Sequence, residues 1–195
     1  VERAFTAIEK GQKIVIHGDY DADGICGSSI IFDVLQVLSV AMGAVLNVEA
    51  FLPHRERDGY GVAMHTIERL DEQDVELLIT VDCGIANAKE LNRADEAGID
   101  VIICDHHQLA SEIPEKALII HPLAPGETYP NKKLAGSGVA FKFACALLVE
   151  ARKRGLAVPQ GHEKWLLDLV AIATVTDVVP LTGENRVLEN FGLVV

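Results

Sequence analysis

Lys13-Ile14-Val15-Ile16-His17-Gly18-Asp19-Tyr20-Asp21-Ala22-Asp23-Gly24 is the stretch on which the reading of this chain turns. An unbroken apolar run this short fits a strand covered on both faces, as in a parallel sheet. The run Lys13–His17 is therefore expected to be a strand, and Ile25–Ala41, stopped before Gly43, the helix that follows it. Between them a histidine and three carboxylates crowd into the turn His17–Asp23. Unit charges ~4 Å apart cost about 4 kcal/mol per pair at an effective dielectric of 20. Such a turn needs protonated carboxyls or a positive charge, and a hard divalent cation is the simplest source.

The pattern repeats twice. Leu77–Val81 runs into Asp82-Cys83-Gly84, and Val101–Cys104 runs into Asp105-His106-His107. Val45–Leu52, closed by Pro53, and Ala117–Ile120, ended by Pro122, complete five short apolar runs. Helical segments at Val62–Leu70 and Ala86–Ala97 alternate with them. This order predicts an α/β fold, a doubly wound, mainly parallel five-stranded sheet flanked by helices. The carboxyl ends of parallel strands share one rim, where ligands bind. That rim would collect His17, Asp21, Asp23, Asp82, His106 and His107, more donors than one ion needs. Mixed oxygen and imidazole donors suit manganese, zinc or, with fewer imidazoles, magnesium.

From Ser137 the texture changes. Val139–Lys153 and Glu163–Thr176 read as long helices with no strand between them, a helical annex. Pro122–Leu134, with three prolines, is the expected connector. The expected organisation is an α/β core over residues 1–134 and a helical part over 135–195.

At 195 residues and 49% hydrophobic, the chain can bury a full core. No unbroken apolar run reaches the roughly 18 residues of a membrane span, so no membrane partner is expected. Four widely spaced cysteines, Cys26, Cys83, Cys104 and Cys145, read as reduced core residues of a cytoplasmic protein. A net charge of −12 argues against a general nucleic-acid surface, so a nucleic-acid partner must be held by a local basic patch or another domain. The chain opens without a methionine, as an excised piece of a longer protein would.

Each motif has a plainer reading beside the functional one. Asp19, Asp21, Asp23 and Gly24 match the first half of an EF-hand loop, but its twelfth position is Ile30 and a strand precedes it. Asp82 and Asp105 would serve as helix or turn caps, and repetition at three strand ends favours metal over capping. Gly136-Ser137-Gly138 before a helix is either an anion site or a common turn. The loop His54–Gly61 sets Arg55 and Arg57 beside Tyr60, suited to phosphate and base or simply a solvated turn. Asp177, ending the apolar helix Leu166–Val175, needs a partner that a metal would supply. His54, His65, His121, His162 and Trp165 read as packing or surface.

Taken together, the residues resemble the DHH phosphoesterase superfamily, and within it the branch of single-strand-specific 5′→3′ DNA exonucleases. The matching pieces are His17–Gly24, Pro53–Arg55 with Gly59–Gly61, Val81–Gly84, Asp105–His107, Gly136–Lys142 and Thr176–Pro180, in family order. The resemblance implies two divalent cations, Mn2+ or Mg2+. His17 and Asp21 would hold one, Asp23, His106 and Asp177 the other, with Asp82 bridging. His107, Asp82 and Asp105 would be catalytic, with His107 contacting the scissile phosphate. Asp19, and Asp105 too, would orient ligating groups, and Arg55 with Gly136, Ser137 and Gly138 would bind substrate. It also implies release of nucleoside 5′-monophosphates from single-stranded DNA in recombination and repair, with single-strand-binding protein as a partner. Such enzymes carry a further substrate-clamping domain with a glycine-rich motif; none is recognisable after Asp177, and Val187–Val195 would begin a linker helix. Another DHH phosphoesterase (an oligonucleotide-trimming enzyme or an inorganic pyrophosphatase) and a non-catalytic metal-binding module remain open alternatives.

Overall fold

The structure, a computed structural model, describes residues 1–195. A short amphipathic helix, α1 (Glu2–Glu9), precedes the first strand, β1 (Ile14–Gly18). Then follow α2 (Ala22–Met42), β2 (Val48–Phe51), α3 (Met64–Glu72), β3 (Leu77–Val81), α4 (Ala88–Glu96), β4 (Asp100–Cys104) and β5 (Leu118–Ile120). The chain ends in α5 (Gly136–Lys153), a 3-10 turn at His162–Leu166, α6 (Leu167–Thr176) and α7 (Gly183–Gly192).

All five strands are parallel, in the order β2-β1-β3-β4-β5. Strand alternation sorts the side chains. Ile14, Ile16, Leu77, Ile79, Val81, Ile102 and Cys104 face α1, α2 and α5 on one side. Val15, Leu78, Val101 and Ile103 face α3 and α4 on the other. With both faces covered, β1 and β3 are buried at every residue, His17 and Thr80 included, which is why apolar residues dominate them. The strand order reverses between β1 and β3, and the crevice outside that switch point is where such sheets bind ligands.

The helix α2 is long and apolar enough to cross a membrane by length and composition, which no unbroken apolar run in the sequence suggested. Its buried face packs against the sheet and lies in one core with residues of α5, α6 and α7. Its start is set by Asp21, whose Oδ1 accepts the amides of Asp23 and Gly24 at 2.9 and 3.1 Å. Its end is Gly43, in the left-handed conformation at φ 64°. The helix α5 starts at Gly136, so the Gly-Ser-Gly triplet forms its first turn instead of preceding it.

Candidate metal centre

The carboxyl ends of β1, β3 and β4 lie side by side, Gly18 pairing with Val81 and Val81 with Cys104. The residues that follow each strand therefore meet. His106 Nε2 lies 3.2 Å from Asp82 Oδ1, 3.7 Å from Asp177 Oδ2 and 3.8 Å from Asp23 Oδ2. Asp177 is delivered from the end of α6, far along the chain. Three groups bring donor atoms within 4.8 Å of one another: Asp23 with His106 and Asp177, Asp82 with His106 and His107, and Asp19 with Asp21 and Asp82.

The donor set fits cations. His17 Nε2, Asp19 Oδ1, Asp82 Oδ1 and His106 Nε2 are all buried without a hydrogen-bond partner, an expensive state for polar atoms unless a ligand takes them up. Burial first, then the charge of Asp23, push the Asp82 carboxyl up to about 10. Burial, with Asp23 and Asp21 adding to it, also raises Asp177 despite the opposing pull of His106. Burial raises Asp19 as well. Carboxyls that burial and neighbouring carboxylates keep from ionising are the ones a divalent ion restores.

Asp105 has a different task. Its Oδ1 accepts the amides of His106 at 2.7 Å and His107 at 3.1 Å and the His107 Nδ1 at 2.8 Å, while its Oδ2 accepts the Ile85 amide at 3.0 Å. Burial pushes its pKa up, but the His107 ring and these amides outweigh it and hold the carboxyl at about 2. With its lone pairs spent, Asp105 orients the turn and the His107 ring. That contact raises the His107 pKa against the opposing effect of burial.

His17 joins the site by another route. Its ring is fully buried, edge-on to Phe51 at 5.1 Å. Burial lowers its pKa to about 4, so it is neutral and able to ligate. Cys83 Sγ lies 3.7 Å from its Nδ1, leaving Nε2 unpartnered. Burial drives the Cys83 thiol well up, so it is no thiolate ligand, and neither it nor Cys104 belongs to a metal-capable group.

The glycine turn corrects one expectation. The amides of Gly136 and Ser137 both donate to Asp23, to Oδ2 and Oδ1, each at 2.7 Å. The anion at this helix N-terminus is an internal carboxylate, so these two amides are not free for a nucleotide, and Ser137 is fully buried. The first turn of α5 instead fixes Asp23 beneath His106. Gly136 also lets the backbone approach Asp82, since a Cβ there would lie 2.4 Å from Asp82 Oδ1. Asp82 itself sits at φ 61°, a left-handed conformation that Asp tolerates better than most residues. Gly136→Ala is expected to displace Asp82, costing about 1–3 kcal/mol by overpacking and weakening Mn2+ binding. Urea unfolding and Mn2+ calorimetry check both parts.

Around the rim, the Arg55 guanidinium stacks over the Tyr20 ring at 4.3 Å, and Tyr60 meets His107 edge-on at 5.3 Å. Arg55 thus reaches the site through Tyr20, a contact that no spacing in the sequence announces.

Residues 13–174 match the DHH family, N-terminal domain. The chain is 44% identical over 192 residues to the single-stranded-DNA-specific exonuclease RecJ of Bacillus subtilis, covering 98% of this chain and 22% of that protein. It superimposes on a crystal structure of exonuclease RecJ bound to manganese with TM-score 0.81 and 39% identity, covering 99% of this chain and 46% of that one. On RecJ in complex with Mn2+ from Thermus thermophilus the TM-score is 0.76 at 36% identity, covering 99% of this chain and 26% of that one. The chain thus spans less than half the length of each of these relatives.

Proposed function

The chain belongs to the DHH family, and from that premise we propose that it carries the metal centre of a 5′→3′ exonuclease acting on single-stranded DNA. The observation that carries the reading is the set of unpartnered buried donors, His17 Nε2, Asp19 Oδ1, Asp82 Oδ1 and His106 Nε2, gathered at one sheet rim. Two divalent cations, Mn2+ or Mg2+, would be held there. Asp23, His106 and Asp177 would hold one, His17 and Asp21 the other, Asp82 would serve both, and Asp19 would orient the ligating groups. When bound, the ions supply Lewis-acid charge and acidify water for attack on phosphorus.

The side chains do the rest. Asp105 fixes the His107 ring through Nδ1 and favours its protonated form, which leaves Nε2 to donate to a phosphate oxygen. The half-exposed His107 side chain is the one member of the Asp105-His106-His107 triplet with room to meet substrate. Arg55 supplies a guanidinium suited to phosphate, and the exposed Tyr60 ring a face suited to a base. Single-stranded DNA is the substrate this reading assigns, with nucleoside 5′-monophosphates as products and single-strand-binding protein as a partner in recombination and repair. Four free cysteines suit a cytoplasmic setting.

Incubating the chain with Mn2+ and a 5′-labelled single strand, beside a duplex and inorganic pyrophosphate, tests the reading. Mononucleotides from the single strand alone support it. Preferential turnover of pyrophosphate assigns the site to another DHH phosphoesterase, and Mn2+ binding without any turnover, in this chain and again when it is joined to the clamping domain such enzymes carry, assigns it to a non-catalytic module. Within the active protein, Arg55→Ala is expected to raise KM about tenfold, the equivalent of ~1.4 kcal/mol, with kcat nearly unchanged. Steady-state kinetics on single strands would discard the phosphate contact if KM stayed the same.

A further inference from the structure

The amino-acid sequence offers His121 as ordinary packing, yet its ring joins two backbone groups that no other side chain connects. It follows β5 directly and is buried, 3% exposed. The Leu123 amide donates to its Nδ1 at 3.0 Å. Because an amide can only donate, Nδ1 must carry a lone pair, and the neutral ring therefore carries its proton on Nε2. That Nε2 lies 2.8 Å from the carbonyl oxygen of His107 and donates to it.

The logic of the Asp105-His106-His107 turn makes this donor necessary. Asp105 satisfies the two amides of the turn and the His107 ring nitrogen. A carboxylate cannot satisfy a carbonyl, so the His107 oxygen needs a donor from elsewhere. Pro122 has no N–H to offer, and His121 meets the need from just beyond the end of β5. The His107 residue is thereby held from two sides, its ring by Asp105 and its carbonyl by His121.

We propose that His121 is a positioning residue for His107, a fixed Nε2–H tautomer that sets the angle at which the His107 ring meets the phosphate. The inference rests on the exonuclease reading for its catalytic consequence and on the hydrogen bonds alone for its structural part. The test therefore has two arms. In the metal-free wild-type chain, nitrogen-detected NMR of the histidine rings is expected to show His121 bare at Nδ1 and protonated at Nε2. A ring protonated at Nδ1 overturns the proposal whether or not the chain cleaves DNA.

In the second arm, His121→Leu removes the donor, whereas His121→Gln keeps a side-chain N–H at similar reach. The Leu variant is expected to lose about 10- to 100-fold in kcat, the scale of an outer partner, with KM within about twofold. It should also displace the His107 ring resonances without substrate present. The Gln variant is expected to recover most of kcat and the wild-type resonances. Equal kcat in all three proteins, or a loss that Gln does not repair, overturns the proposal. Should the Leu variant not fold, the Gln variant and the wild-type tautomer decide. If the chain cleaves no DNA even when joined to the clamping domain such enzymes carry, the exonuclease reading fails by itself, and the tautomer with the His107 resonances still settles the positioning role.

Discussion

Asp82→Asn is expected to lower the proposed hydrolysis of single-stranded DNA by about a thousandfold or more and to leave the metal-free fold in place. The expected loss exceeds the roughly 10- to 100-fold of an outer hydrogen-bonding partner because Asp82 lies in two of the three donor groups, with His106 and His107 and with Asp19 and Asp21. Asn keeps the shape but removes the negative charge on which both proposed cation positions would draw. The fold survives because the Asp82 carboxyl, raised to about 10, is already neutral near pH 7 when no metal is bound. Exchanging one neutral group for another of equal size costs little packing. Initial rates with Mn2+, set beside urea unfolding in chelator, separate the two effects. A variant that kept the wild-type rate would end the bridging assignment.

The second large effect is a pH dependence of stability that metal removes. The Asp82 carboxyl titrates near 3.8 when unfolded and near 10 when folded. Between those values the folded chain holds a proton that the unfolded chain has released, so stability falls as pH rises. The full slope for one proton is about 1.4 kcal/mol per pH unit. Burial and the charges of Asp23, Asp21 and Asp105 set this direction, with His107 opposing it. Asp19 and Asp177 are also raised and push the same way, their contribution fading once pH passes their folded values. His17 works in the other sense. Lowered to about 4 from 6.5, it adds stability as pH rises between those values and nothing above them. From pH 7 to 9 the Asp82 effect therefore dominates, a loss of about 2–3 kcal/mol in chelator. Saturating Mn2+ holds the carboxylate charged and adds its own binding free energy, about 2.7 kcal/mol at a hundred times Kd, so the decline should flatten. Urea unfolding at pH 7, 8 and 9, with chelator and with Mn2+, gives both curves. A flat profile in chelator would contradict the neutral Asp82.

Much of this arrangement is legible in the amino-acid sequence, and the exceptions have physical causes. The strand Leu77–Val81 is read to the residue because both sheet faces are covered and Thr80 alone interrupts its apolar run. The strand expected from Val45 to Leu52 shrinks to Val48–Phe51, since Val45 is exposed and Leu52 already lies beyond the pairing with β1. The helix Glu2–Glu9 escapes notice, its apolar face being only Ala4, Phe5, Ala7 and Ile8. Two turns are too little for periodicity to register.

The site divides along the same line. Residues that follow a strand, such as Asp82 and His106, are placed by topology, and a parallel sheet makes topology readable. Asp177 is harder, because only the packing of α6 against α2 and α5 brings it to the rim. The Gly136–Gly138 turn, assigned to substrate by resemblance, instead gives two amides to Asp23, a contact spanning more than a hundred residues that the sequence does not announce. Gly136 and the left-handed Asp82 are linked by the closeness of two backbones, which no spacing encodes.

Anomalous diffraction from crystals grown with Mn2+ tests the central claim most directly. Two peaks are expected at the rim, one touched by Asp23, His106 and Asp177 and the other on the side of His17 and Asp21, with Asp82 reaching both. A single peak, or peaks that Asp82 does not touch, would contradict a paired-cation centre built on the ends of β1, β3 and β4.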